Sequence, residues 1–150
     1  WPIENFVTLS KKFIQTNPNV FFVVFGGFED QKKVGQFIEC LPQDQCLNLS
    51  GKLSLRQTAA VMSMIDLYIG VDTGPSHMMS AFNVPMVCLY HSTFPSMHLA
   101  PIGHSKFFAI DHPKKSKATV SDSMDSILVN TVFKKINFFL KNDKYFYKNE

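Results

Sequence analysis

Arginine is nearly missing from this 150-residue chain, Arg56 being the only one among 15 basic residues. That excludes recognition of phosphate by a cluster of bidentate guanidinium groups, so any phosphate must be held mainly by backbone amides and lysines. The 15 basic residues face 12 acidic ones, and along the sequence they are spread thinly rather than gathered in a stripe. Such a balance argues against a nucleic acid partner. Carboxylates are not clustered either, so neither a metal nor another cofactor is signalled. The three cysteines, Cys40, Cys46 and Cys88, are odd in number and lack ligand-like spacing, which fits reduced thiols in a cytoplasmic protein. No apolar run approaches the length of a membrane span. The chain opens on Trp1-Pro2-Ile3-Glu4, with neither an initiating Met nor a signal-peptide pattern, as expected of a piece of a longer protein.

What is present is a regular alternation. Residues 3 to 15 carry Ile3, Phe6, Val7, Phe13 and Ile14 at helical spacing, and Asn17-Pro18-Asn19 stops them. The apolar run from Val20 to Phe25 ends in Gly26-Gly27, the pattern of a strand buried on both faces of a parallel sheet. A helix is predicted over 29 to 41, with Val34, Phe37, Ile38 and Leu41 on one face, then a short strand over 46 to 49 closed by Ser50-Gly51. Ser54-Leu55-Arg56-Gln57 has the form of a capping box opening a helix to Ile65. A buried strand at 67 to 71, a turn at Asp72-Thr73-Gly74-Pro75, a helix over 76 to 82 and a strand at 86 to 90 follow. Residues 91 to 104 lack periodicity and read as a loop long enough to be functional. An edge strand at 107 to 110, a Lys-rich connector at 114 to 117, a helix over 123 to 140 and a polar tail over 141 to 150 complete the chain. The alternation predicts one doubly wound, Rossmann-like α/β domain with a mostly parallel sheet. In such sheets ligands bind beyond the carboxyl ends of the strands, which directs attention to Gly26-Gly27-Phe28-Glu29, Ser50-Gly51-Lys52, Asp72-Thr73-Gly74 and His91-Ser92-Thr93.

The sharpest feature is Gly70-Val71-Asp72-Thr73-Gly74-Pro75-Ser76-His77, a buried strand running through a tight turn into a helix. Free amides of Thr73, Gly74, Ser76 and His77 and the positive end of the helix dipole would suit a diphosphate. Gly74 permits close approach of a ligand, and Pro75 gives up a donor that the first turn can spare. Thr73 can donate from its hydroxyl and His77 from its ring. Ionised Asp72 cannot donate, so it accepts amide bonds that fix the turn or binds a sugar hydroxyl. Chemistry alone equally allows Asp72 or Thr73 as an ordinary helix cap.

Taken in order, Trp1-Pro2, Gly26-Gly27, Asn48-Leu49-Ser50-Gly51-Lys52-Leu53-Ser54-Leu55, Asp72-Thr73-Gly74-Pro75-Ser76-His77 and Val84-Pro85 resemble the ADP-heptose:lipopolysaccharide heptosyltransferase family over roughly the first 100 residues. That resemblance implies the C-terminal, donor-binding half of a GT-B glycosyltransferase, spanning residues 1 to 150, with ADP-heptose as donor and the lipopolysaccharide inner core as acceptor. It implies that Asp72, Thr73, Gly74, Ser76 and His77 lie at the donor diphosphate. Gly26, Gly27, Glu29, Lys52 and Leu53 would lie at the nucleoside, with Glu29 accepting from ribose hydroxyls and Leu53 covering the adenine. Glu29 as a helix N-terminal acid, Leu53 as core packing and Lys52 as a solvated surface residue are the plain alternatives. Many relatives have Gly-Pro-Thr where this chain has His91-Ser92-Thr93, so close backbone approach at position 91 is not expected, and His91 is expected to bring a new imidazole into the cleft beside Thr93. His91 would act there as a donor to substrate or as an exposed loop histidine without a chemical role. The family's general base belongs to an acceptor-binding N-terminal domain, so no catalytic residue is expected in residues 1 to 150, and binding without efficient turnover is predicted. The family's place in the cell implies a cytoplasmic protein, in peripheral association with the inner membrane.

Three other readings remain open on the residues: a transferase for another nucleotide sugar, a non-catalytic nucleotide-binding module, and a response-regulator-like domain. The last needs acidic strand ends, where this chain has mostly Gly, Ser and Thr.

Overall fold

The computed structural model describes residues 1–114 and 116–142. Its order is α1 (Ile3–Thr16), β1 (Phe22–Val24), α2 (Gln31–Glu39), β2 (Cys46–Asn48), α3 (Leu55–Met62), β3 (Tyr68–Val71), α4 (Gly74–Met79), β4 (Met86–Tyr90), α5 (Ser96–Leu99), β5 (Phe107–Asp111) and α6 (Val129–Asn142). Every strand pair is parallel, as predicted. The hydrogen bonds nevertheless divide the expected single sheet into β1-β2 and β3-β4-β5.

All of β4 is buried because β3 and β5 flank it and helices cover both faces. Val87 and Leu89 point into a cluster with Leu9 and Phe13 of α1 and Val132 and Ile136 of α6. Met86 points to the opposite side, with Met62 of α3, Tyr68 of β3 and Met79 of α4. A continuous apolar run thus supplies two cores at once, by the two-residue period of a strand. Phe22 and Ile69 pack against the first cluster and Phe25, just past β1, against the second, so this segment reaches both cores although β1 does not pair with β3.

Several boundaries differ from expectation for local reasons. The run from Val20 to Phe25 contributes only three ladder residues, all half-buried, because it pairs on one side alone. A 3-10 turn, Phe28–Asp30, precedes α2. The Ser54 box forms, the Ser54 amide donating to Gln57 Oε1 at 2.9 Å. α4 begins at Gly74, placing Pro75 in its first turn. The loop at 91 to 104 contains α5, whose Ser96 amide and hydroxyl both donate to Asp111, each at 2.7 Å. The last helix starts at Val129 after a separate 3-10 turn at Met124–Ser126. Lys141 and Asn142 belong to α6, and the rest of the expected tail lies outside the described residues. No helix among the described residues is long and apolar enough to cross a membrane.

Candidate functional site: the turn between β3 and α4

β3 ends at Val71, and the Asp72 amide still bonds to the Leu89 carbonyl at 3.2 Å, so the turn starts from a fixed sheet position. Thr73, Gly74, Pro75 and His77 are exposed and Ser76 is buried. The four amides expected to be free are mostly taken. The Thr73 amide donates to Ser76 Oγ at 3.0 Å, and the Ser76 and His77 amides donate to the Thr73 carbonyl at 3.0 and 3.2 Å. The tight first turn satisfies its own donors, leaving the Gly74 amide without a partner among the described residues. Ser76 Oγ also donates to the Thr73 carbonyl at 2.7 Å. Ser76 is therefore an internal brace, not the outward donor the sequence suggested.

A Cβ added at Gly74 would meet nothing within 4 Å. Packing within the protein does not require glycine there, whereas close approach of a ligand would. The Thr73 hydroxyl, held by a long 3.3 Å bond to the Val71 carbonyl, flanks this open spot. His77 is 57% exposed at its side chain, with Nε2 3.2 Å from Asp72 Oδ1. That oxygen is buried and has no hydrogen-bond partner among the described residues, so the imidazole lies against it without a formed bond. Beneath the turn, the Cys88 thiol faces the hydroxyls of Tyr90 and Ser76, and burial pushes it up to about 11. Burial first, then the neighbouring Cys88 and Asp72, raise Tyr90 above the ordinary phenol range.

Beside Asp72 lies an open hollow of about 220 Å³, lined also by Trp1, Val71, Leu89, His91, Phe94 and Met124. His91 thus sits at this edge, but its two nitrogens are engaged within the chain. Nε2 donates to the Asp122 carbonyl at 2.8 Å, and Nδ1 accepts the Thr93 amide at 3.2 Å beside the Thr93 hydroxyl at 2.8 Å. The imidazole is locked by its own loop and has no hydrogen left to donate to a substrate. Phe94 and Met124 carry no spacing signal and were not singled out by sequence, and Trp1 entered only through the Trp1-Pro2 motif, with no site role. Trp1 reaches the hollow because its Nε1 donates to the Ile127 carbonyl at 2.8 Å.

A second group forms at the carboxyl ends of β1 and β2. The Gly51 amide donates to the Gly26 carbonyl at 3.0 Å, and Gln31 Nε2 donates to the Ser50 carbonyl at 3.3 Å. Gly51 has φ +64, and a Cβ there would meet the Phe28 backbone at 3.1 Å. Its glycine is required by the fold. Glu29 is exposed and folds back so that its carboxylate would lie 2.7 Å from a Cβ at Gly27, while Asp30 would crowd one at Gly26. Lys52 is exposed and Leu53 half-buried. None of these residues lines the hollow beside Asp72. Among the described residues no group of three His, Cys, Asp or Glu side chains could hold a metal.

Comparison with known proteins fits this arrangement. The chain is 28% identical over 107 residues to lipopolysaccharide heptosyltransferase 2 of Escherichia coli (strain K12), covering 69% of this chain and 30% of that protein. It is 29% identical over 90 residues to the lipopolysaccharide core heptosyltransferase OpsX of Haemophilus influenzae, covering 60% and 26%. The chain therefore spans about a third or less of the length of these relatives. Two solved structures share its fold. These are the E. coli ADP-heptose LPS heptosyltransferase II, with a TM-score of 0.73, and a family 9 glycosyl transferase from Veillonella parvula, with 0.75. Each is 23% identical, over 94% of this chain and 42% of the other. The family model for glycosyltransferase family 9 (heptosyltransferase) matches residues 1–127, and the chain belongs to that family.

Proposed function

We propose that residues 1 to 150 are the donor-binding domain of a cytoplasmic glycosyltransferase that transfers heptose from ADP-heptose to the lipopolysaccharide inner core. The acceptor-binding domain and its general base belong to a part of the protein outside this chain. Relatives named as lipopolysaccharide heptosyltransferases support the reaction class. The observation that carries the site is the open space at Gly74, where an added Cβ would meet nothing within 4 Å, in the same turn as Thr73 and the exposed imidazole of His77. A diphosphate leaving group approaching there would meet one free backbone N–H, the Thr73 hydroxyl once it gives up its long bond to the Val71 carbonyl, and the exposed ring of His77. Donors fixed before charge develops are the strongest means a protein has of stabilising a leaving anion, each contributing about 100-fold or more in rate. Glu29 and Leu53 are the proposed nucleoside contacts, with Lys52 adding charge.

This turn recognises a diphosphate and does not read the sugar, so a transferase for a different nucleotide sugar is the second reading. Calorimetric titration with ADP, ADP-heptose, UDP and GDP separates the two. We expect preference for the adenine ligands, retained by neither Gly74→Val nor, in large part, Thr73→Ala. Because a Cβ at 74 would meet nothing within 4 Å, Gly74→Val should nearly keep the thermal midpoint of the wild type. Binding that ignores both substitutions in folded protein would overturn the site, and preference for UDP or GDP would overturn the donor.

A further inference from the structure

Cys88 lies in β4, every residue of which is buried, and its partner across the β3-β4 ladder is Gly70. The missing side chain at 70 leaves room for the ring of Tyr68: a Cβ there would run into the Tyr68 hydroxyl and lie 2.7 Å from its Cζ. The ring therefore lies back along β3 over the glycine, which brings its phenol beside the thiol. From α4, Ser76 sets its hydroxyl against the same sulfur, and Tyr90 joins it from two residues further along β4. Ser76 is 3% exposed and Tyr90 1%. One thiol, two phenols and one aliphatic hydroxyl thus share a buried space beneath the turn at 72 to 77.

The direction of these bonds follows from counting hydrogens. Ser76 has one hydroxyl hydrogen, which goes to the Thr73 carbonyl at 2.7 Å, while one of its lone pairs takes the Thr73 amide at 3.0 Å. Toward Cys88, Ser76 can therefore only accept, so the thiol donates to it. The sulfur is left as an acceptor, and the Tyr90 hydroxyl supplies the hydrogen. The result is one line of donors, from Tyr90 to Cys88 to Ser76 to the Thr73 carbonyl, in which each bond polarises the next. A thiolate would break the line, because sulfur and hydroxyl would then face each other as two acceptors. Burial, which pushes the Cys88 thiol up to about 11, keeps the proton in place. The line ends in the turn itself, whose closure on the Thr73 carbonyl by the Ser76 and His77 amides sets where Gly74 and His77 stand.

We propose that Cys88 and Tyr90 are positioning residues of the donor site: thiol and hydroxyl in line hold Ser76, and through it the turn from Thr73 to His77, in the form that presents Gly74 and His77 to a diphosphate. Both lie wholly in the interior and act on the ligand only through Ser76. The consequence for binding rests on the donor-site reading, whereas the hold on the turn does not.

The test sets Cys88→Ser against Cys88→Ala. A serine hydroxyl can accept from Tyr90 and donate to Ser76 as the thiol does, whereas alanine, of nearly the same volume, can do neither. A role in packing alone makes the serine variant no better than the alanine one, and a role in the line makes it clearly better. Amide exchange in the free chain at pH 7 reads the turn: Cys88→Ala should speed exchange at Thr73, Ser76 and His77 about threefold to tenfold, the worth of one hydrogen bond. Cys88→Ser should stay near wild type. Tyr90→Phe removes the first donor and leaves the thiol its own bond to Ser76, so it should fall between, and it carries the comparison with wild type if Cys88→Ala does not fold. Dissociation constants for ADP should rise in the same order. Val132→Ala, on α6 in the other core, supplies a folded chain of lowered stability in which neither readout moves. Wild-type exchange at the turn in Cys88→Ala or Tyr90→Phe, exchange in Cys88→Ser as fast as in Cys88→Ala, or an equal change in Val132→Ala would each overturn the proposal. So would an ADP affinity indifferent to Cys88→Ala in a chain that binds ADP. Exchange in the expected order together with no binding of ADP by the wild type would uphold the hold on the turn and sink the donor-site reading instead.

Discussion

Ser76 is 3% exposed, and its hydroxyl both donates to the Thr73 carbonyl and accepts the Thr73 amide. Replacing it with alanine removes two bonds; the Thr73 carbonyl keeps the Ser76 and His77 amides, but the Thr73 amide must find water. Loss of stability of about 1–3 kcal/mol is expected for Ser76→Ala, read as a lower urea midpoint with an unchanged slope. An unchanged midpoint would mean that the brace contributes nothing. The strand–turn–helix form of this segment was legible in the sequence, because a buried run followed by Gly-Pro marks the end of a strand and the start of a helix. The sequence could not reveal which amides remain open, since that depends on whether the first turn closes on Thr73 by i to i+3 bonds. His77 is the opposite case: its spacing from Asp72 was visible, and the 3.2 Å approach of the two side chains follows from the tight turn that sets Asp72, ahead of the helix, against the first turn of α4.

Among the elements, helix and strand periods located most of the fold, and residues 91 to 104 and 112 to 123 were the least legible. Their order comes from contacts about 30 residues apart, which no local pattern records. Asp122 is the centre of these: it accepts from Lys114 Nζ at 2.6 Å, Ser92 Oγ at 2.7 Å and the Thr119 amide at 3.0 Å. Its own carbonyl accepts from His91 Nε2. The Lys114 bond first, then Ser92 and the Thr119 amide, hold the carboxyl well below the usual carboxylate range. A depressed acid contributes its tie fully above the unfolded value, about 4 for Asp, and loses it only as pH falls below that. The segment should therefore stay fastened at mildly acidic pH. Asp122→Asn, which cannot hold Lys114 by charge, should speed amide exchange at residues 91 to 93 and 119 to 123 severalfold at pH 6. Exchange in β4 should not change, and equal protection of both segments in the variant would show that Asp122 does not fasten them.

At the scale of the molecule, the two cores meet at β4, and the seam is polar where β3 and β4 approach the turn. Tyr68, Cys88 and Tyr90 are all buried there, with Cys88 beside both phenols and Cys88 and Tyr90 near the Asp72 carboxylate. Sequence could identify Cys88 as a buried thiol from its apolar run, but not that two phenols and a carboxylate share its surroundings, because that follows from the register of β3 against β4. Burial raises both phenols above their ordinary range and the thiol to about 11. For an acid whose folded value is raised, the native state holds the proton more tightly, so the stability is whole below the unfolded value and lost as pH rises above it. The unfolded values are about 8.5 for the thiol and about 10 for the phenols. Urea midpoints should accordingly hold to about pH 8 and then fall steeply toward pH 11. Tyr90→Phe removes one ionisable group from the seam and a polar contact to Cys88, so it should lower the midpoint at pH 7 yet flatten the alkaline fall. Curves for wild type and Tyr90→Phe that descend in parallel above pH 9 would mean that the phenol stays protonated through unfolding and that the alkaline limit of this fold lies elsewhere.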